Sequence, residues 1–256
     1  MFMDISVQSE NRVRHPVAGN QSTGILKVIA LVFMFTDHAG KMCFPQIYEM
    51  RLIGRLAFPL YCWCMVVGFS HTRSVPKYIL RVMITGIISQ PLYMLALNHK
   101  WYQPNIFLTL LLGLCALWGI REKKWFSQLW APAAALVLAN VLNVDYGFKG
   151  VALILLLYAS SSSRPALAAV MIAFSLFWGS SYSAVTSFFG ISLKMQGWPG
   201  AITSIITPFL KVQSLCVLAL PFILIRFKKD LRMPTWLGYA LYPLHLILLF
   251  ILEKVM

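Results

Sequence analysis

Acidic residues are scarce in this chain: eight Asp and Glu stand against 22 Lys and Arg, and charged residues fill only 12% of its 256 positions. With 59% hydrophobic residues and a mean hydropathy of +0.73, it lacks the polar surface a soluble domain needs, whose apolar share is about 45–50%. The composition reads as an integral membrane protein. The net charge of +14 does not imply nucleic acid, because the cations sit in short runs between apolar stretches, the pattern of membrane loops. Five cysteines (Cys43, Cys62, Cys64, Cys115 and Cys216) form no CxxC and no Cys/His ligand spacing, which excludes a zinc ribbon or a disulfide framework and leaves them as packing residues, with no metal site expected. GxSxG, Walker A and dinucleotide fingerprints are absent, as are internal repeats.

What is present is a series of apolar segments. An all-α, polytopic helical bundle is expected, with about nine transmembrane segments near 25–44, 52–70, 77–97, 104–120, 128–143, 147–161, 166–180, 202–225 and 235–253. Residues 181–201 are too polar to cross and too aromatic for a free loop, so an interfacial or re-entrant piece is expected there. Residues 1–23 read as a polar cytoplasmic tail without a small-residue cleavage site, and 24–256 as one multi-span domain. With the N-terminus inside, 14 of the 22 Lys and Arg fall on cytoplasmic joins, which favours that orientation in a bacterial inner membrane.

Against this apolar background Asp37 and His38 stand side by side within the first span, where ionisable groups are costly and usually functional. On a helix, Lys41 lies one turn beyond Asp37, and Arg51 and Arg55 are one turn apart, so each pair shares a face. Adjacent side chains point about 100° apart, so Asp37 is not placed to orient the ring of His38. The imidazole can take a proton from an attacking amine or hydroxyl. The bland reading is that Asp37 pairs with Arg51 or Arg55 and His38 only completes a polar cluster. Arg55, in GRLAFPL, sits where Pro59 disturbs a helix, and its planar fork suits a phosphate or carboxylate, with a snorkelling anchor as the alternative. His245 lies within the ninth span. Asn105, Asp145 and Tyr146 fall with Lys41, Arg51 and Arg55 on the outer side of the predicted topology. His71, Arg73, Lys77 and Arg81 fall on the cytoplasmic side and read as positive-inside charge, with a grip on a phosphorylated co-substrate as the functional alternative.

The run LKVIALVFMFTDH, GRLAFPLY some fifteen residues on, QPNIF over 103–107, DYGFKG over 145–150 and the His245 segment resemble, in order and spacing, the TraX family of bacterial membrane proteins. The resemblance covers nearly the whole chain from residue 24. It implies an acetyl-CoA-dependent acyltransferase of the inner membrane that acetylates the N-terminal amine of a conjugative pilin. His38 and Asp37 are then the expected catalytic residues, and Arg55, Arg51, Lys41, Asn105, Asp145, Tyr146 and His245 the expected contacts to substrate or acetyl-CoA.

Two competing functions share these residues. O-acylation of a cell-envelope glycan belongs to the same class. A proton-coupled transporter would use Asp37 and His38 as a relay, although the paired, broken repeats frequent in transporters are missing. A non-enzymatic pilin chaperone gives no reason to bury Asp37, His38 and Arg55 together.

Overall fold

The computed structural model describes residues 15–193 and 197–255; the start of the polar tail, with Arg12 and Arg14, lies outside them. Among the described residues the chain is helical apart from one short hairpin. Its elements are α1 (Thr23–Met42), α2 (Tyr48–Gly54), α3 (Ala57–His71), α4 (Val75–Leu97), α5 (Ile106–Glu122), α6 (Ser127–Val141), α7 (Gly147–Ser160), α8 (Arg164–Gly179), β1 (Ser187–Phe188), β2 (Ile191–Ser192), α9 (Gly200–Ile206), α10 (Leu220–Leu224) and α11 (Thr235–Val255).

Local chemistry explains most of these boundaries. The Ser74 hydroxyl accepts from the Lys77 N–H, with a proline in the first turn of α4, and the Ser163 hydroxyl caps α8 in the same way at Ala166. Asn105 caps α5 through the Phe107 N–H at 3.0 Å. Pro59 cannot donate to the Arg55 carbonyl, and the helix breaks at Arg55–Leu56 to give α2 and α3.

Four helical stretches are long and apolar enough to cross a membrane: Thr23–Met42, Tyr48–His71, Val75–Leu97 and Trp236–Val255. The other five expected segments do not reach that length. Helices α5 to α8 have 14 to 17 residues, short of the ~20 a straight crossing takes. The segment expected over 202–225 is not one helix. It is broken into α9, a 3₁₀ turn (Thr207–Leu210), a second 3₁₀ stretch (Ser214–Ala219) and α10, because Pro208 and Pro221 interrupt the ladder and Lys211 is extended and bridged to Ala184. Within 181–201, β1 and β2 pair antiparallel, with Ser187 opposite Ser192 and Gly190 turning at φ +80°; Glu49 Oε1 tethers this hairpin by accepting from the Phe189 N–H.

Bonds between distant joins gather the turns at two ends. At one end the Ala18 N–H donates to Ser161 O, the Asn20 N–H donates to Ile223 O, both at 2.7 Å, and the Asp230 carboxylate accepts from Gly24 and Ile25 at the start of α1. At the other end Lys41 meets His99 and the Thr109 hydroxyl donates to Asp145 O. Helix α3 runs between them as the buried centre. It is apolar all round, which suits a helix enclosed by others, and Trp63 and Phe69 are fully enclosed. Helices α4 and α11 instead present Ile84, Ile87, Ile88, Leu244 and Leu248 outward, an apolar surface that lipid satisfies.

Candidate functional site

The packing of α1 against α2 and α3 brings Asp37 between two guanidinium groups. Arg55 Nη2 donates to Asp37 Oδ1 at 2.6 Å, and Arg51 Nη1 donates to Oδ2 and to the Asp37 carbonyl, each at 3.1 Å. Arg55 Nε is fixed on Arg51 O at 3.0 Å. Gly54 makes this approach possible: a Cβ there would lie 2.6 Å from Asp37 Cγ, so even alanine would displace the carboxylate. The ion-pair reading of Asp37 is the one realised. Both its oxygens are engaged, so it is not placed as a proton acceptor, and neither arginine has its whole fork free for a phosphate.

His38 turns away from this clamp. Its Nδ1 lies 2.9 Å from Nε2 of His245 on α11, with the two rings nearly parallel at 17° and their centroids 5.1 Å apart. His245 is buried behind His38, where the ring of Tyr242 packs edge-on against it. It was expected to contact substrate; it does not itself line the cavity and meets it through His38.

The cavity that His38 lines, of about 350 Å³, is lined along α1 from Lys27 to Lys41, 14 residues or about 21 Å of helix apart. Asp37, His38, Arg51 and Arg55 line it together with Asp145 and Tyr146, so four cations face two carboxylates. The Lys41 ammonium donates to His99 Nε2 at 2.9 Å, while His99 Nδ1 donates to Gln103 Oε1 at 3.2 Å. Burial and the Lys41 charge hold this imidazole below its ordinary pKa, against the bond to Gln103.

Asp145 lies in the turn before α7. No cation among the described residues reaches ion-pair distance of its carboxyl, and burial pushes its pKa up to about 6, opposed by Arg55. Burial likewise pushes the neighbouring Tyr146 phenol above its usual range, and its ring stacks on Phe58 with centroids 4.0 Å apart. Asn105 is different. Its amide donates to Gly86 O, its oxygen caps α5, its backbone N–H donates to Gln90, and it does not line the cavity. The expected substrate contact is a structural cap.

Sequence reasoning passed over Lys27 and the tyrosines Tyr61, Tyr78, Tyr93, Tyr239 and Tyr242, all of which line the cavity. Lys27 carried a signal, as the one charge in an apolar run. The tyrosines carried none, since aromatic residues are as frequent at membrane interfaces and in cores. Arg81, read as positive-inside charge, lies over the ring of Tyr78 at 5.8 Å, and Tyr78 lines the cavity.

A family model described as TraX protein matches residues 22–253. The chain belongs to the TraX family. Among its relatives, Protein TraX of Escherichia coli is 30% identical over 139 residues, covering 52% of this chain and 54% of the relative. A probable fimbrial assembly protein FimC, serogroup H1, of Dichelobacter nodosus is 38% identical over 106 residues, covering 36% and 43%. The uncharacterized protein RP591 of Rickettsia prowazekii (strain Madrid E) is 28% identical over 137 residues, covering 52% and 53%. The chain spans about half the length of the curated relatives it matches. No solved structure matches it. In this TraX-family chain Asp37, Arg51 and Arg55 form one bonded clamp and His38 and His245 a separate bonded pair, Lys41, Asp145 and Tyr146 share the cavity that Asp37 and His38 line, and Asn105 stands apart.

Proposed function

We propose that this TraX-family protein is a membrane acetyltransferase, moving an acetyl group from cytoplasmic acetyl-CoA to the N-terminal amine of a pilin subunit presented at the other face. The observation that carries this reading is the single cavity that joins a basic end at Lys27 to His38, about 16 Å along α1, and continues to Lys41. In this reading the shorter helices also traverse a bacterial inner membrane, giving nine passes with the N-terminus cytoplasmic and residues 24–256 as one domain. The basic end suits the phosphates of a coenzyme A thioester, and the aromatic walls suit its apolar arm. The relative named for fimbrial assembly supports a pilus subunit as acceptor.

The chemistry assigned to His38 is general-base catalysis. A protonated amine cannot attack, so the acceptor's ammonium proton is first released to solvent. As the neutral amine attacks and the new C–N bond forms, a second nitrogen proton passes to the imidazole. As the C–S bond breaks that proton goes on to the departing thiolate, so the product is a neutral amide and coenzyme A leaves as a thiol. Arg51 and Arg55 act on the developing oxyanion through the field of the clamp rather than as a free fork.

The test is transfer of labelled acetyl from acetyl-CoA to a co-expressed pilin subunit by the purified protein in nanodiscs. One acetyl on the subunit's N-terminal amine is expected; label found only on glycan hydroxyls moves the acceptor to the envelope, and no transfer to any acceptor overturns the enzyme. A proton-coupled transporter draws on the same membrane-deep cavity. It predicts no transfer in detergent, where no gradient exists, and substrate-driven proton uptake in vesicles.

A further inference from the structure

We infer that His245 is a positioning residue: it holds His38 in the tautomer protonated at Nδ1, so that Nε2 of His38 is the bare, basic nitrogen available to the cavity. The proton arrangement follows from which atoms can donate. His245 Nδ1 lies 3.3 Å from the carbonyl of Leu241, which can only accept, so that nitrogen carries a hydrogen. In a neutral ring the other nitrogen then offers a lone pair. His245 Nε2 therefore accepts, and its partner at 2.9 Å, His38 Nδ1, must donate. One hydrogen per ring is thereby placed, and His38 Nε2, which bonds no other group among the described residues, is left as an acceptor.

The alternative is a charged ring at His245, and the surroundings argue against it. The charged groups facing the pair are Lys41 on α1 and Arg51 and Arg55 from the opposing helix pair, the two arginines being held on the Asp37 carboxylate. That carboxylate has both oxygens on arginines, so a further positive charge would be buried without a counter-ion. The ring of His245 is also held in orientation. Tyr242 packs edge-on against it at 5.1 Å, and Tyr242 is itself pinned edge-on by Phe107 at 4.8 Å.

The arrangement has the logic of an oriented catalytic imidazole in which the orienting group is a second histidine instead of a carboxylate. Its catalytic meaning rests on the acyl-transfer reading, whereas the tautomer itself does not. Residues 207 apart in sequence, at the two ends of the chain, are thus required for one base.

The test is nitrogen NMR on the full chain in nanodiscs with isotope-labelled histidine, the two rings being assigned from single variants, combined with acetyl transfer. In the unaltered protein His38 is expected to be protonated at Nδ1 and bare at Nε2, and His245 protonated at Nδ1 alone. His245→Gln, whose amide oxygen reaches the position of Nε2, should keep the His38 tautomer and much of the transfer. His245→Leu should free the His38 ring to adopt the opposite tautomer and lower the rate about 100-fold with membrane insertion unchanged. A His38 ring protonated at Nε2, a doubly protonated His245, or a His245→Leu variant with unchanged tautomer and rate each overturns the proposal. If the Leu variant does not fold, the spectrum of the unaltered protein and the Gln variant still decide. The expected tautomer without any transfer in the unaltered protein would sustain the proton arrangement and remove the acetyltransferase reading.

Discussion

The cavity has two walls built on different principles. On the helical wall, from α1, α2, α3 and α11, the ionisable side chains at its centre answer one another: Asp37 is held by two arginines and His38 by His245. On the loop wall, Asp145 is half-buried without an ion pair and His99 is held by Lys41 and Gln103. The helical wall is preorganised, with geometry fixed by a ladder of mutual bonds. On the loop wall a turn supplies burial without a counter-charge, and the Asp145 carboxyl is pushed up to about 6 for that reason.

The comparison is broken most sharply at His38. His38→Ala should reduce acetyl transfer by about 10²- to 10⁴-fold while the protein still inserts and binds acetyl-CoA, as measured by transfer assay beside equilibrium binding. If the rate stays near that of the unaltered protein, the helical wall holds no base.

Arg55→Leu tests whether the clamp is structural. It leaves a buried carboxylate with one partner, which should cost about 3–5 kcal/mol and appear as a large fall in Tm in detergent. Arg55→Lys should recover only part of that loss, since an ammonium cannot reproduce the paired contacts to Asp37 and the Arg51 carbonyl. An Arg55→Leu protein as stable as the parent would show that the clamp contributes nothing to the fold.

Asp145 should behave in the opposite sense. Its pKa in the folded protein, about 6, lies above the 3.8 of the free side chain. The folded state therefore binds more protons between those values, and stability falls as pH rises through about 6. The resulting penalty at neutral pH is on the order of 3 kcal/mol. Asp145→Asn removes it, so the variant should be more stable than the parent near neutral pH, with the advantage shrinking through about pH 5 and vanishing below about pH 4. Thermal unfolding across that range checks the sign. A destabilised variant at neutral pH would mean that the turn needs the charge.

The smallest effect is expected at the Lys27 end. Lys27→Ala removes one exposed cation that lines the cavity, and should raise KM for acetyl-CoA several-fold with little change in kcat, as screened charge contacts with phosphate do. An effect confined to kcat would place the co-substrate elsewhere.

The sequence by itself determined a helical membrane protein and the cluster at its first two segments. Apolar runs set the helices, Pro59 set the break at Arg55, and the four-residue spacing of Arg51 and Arg55 set their common face, because each of these is a local consequence of backbone geometry. Local pattern overstated the rest. Hydropathy does not register that Pro208 and Pro221 break 202–225, whereas the shortness of the segments that become α5 to α8 was already visible in their expected bounds. Only the tertiary structure decided the roles within the site. It turned Asp37 to the arginines rather than to a proton, set Asn105 as a cap, and brought His245 across 207 residues to His38, since a hydrogen bond depends on a few ångströms in space and leaves no trace in spacing along the chain.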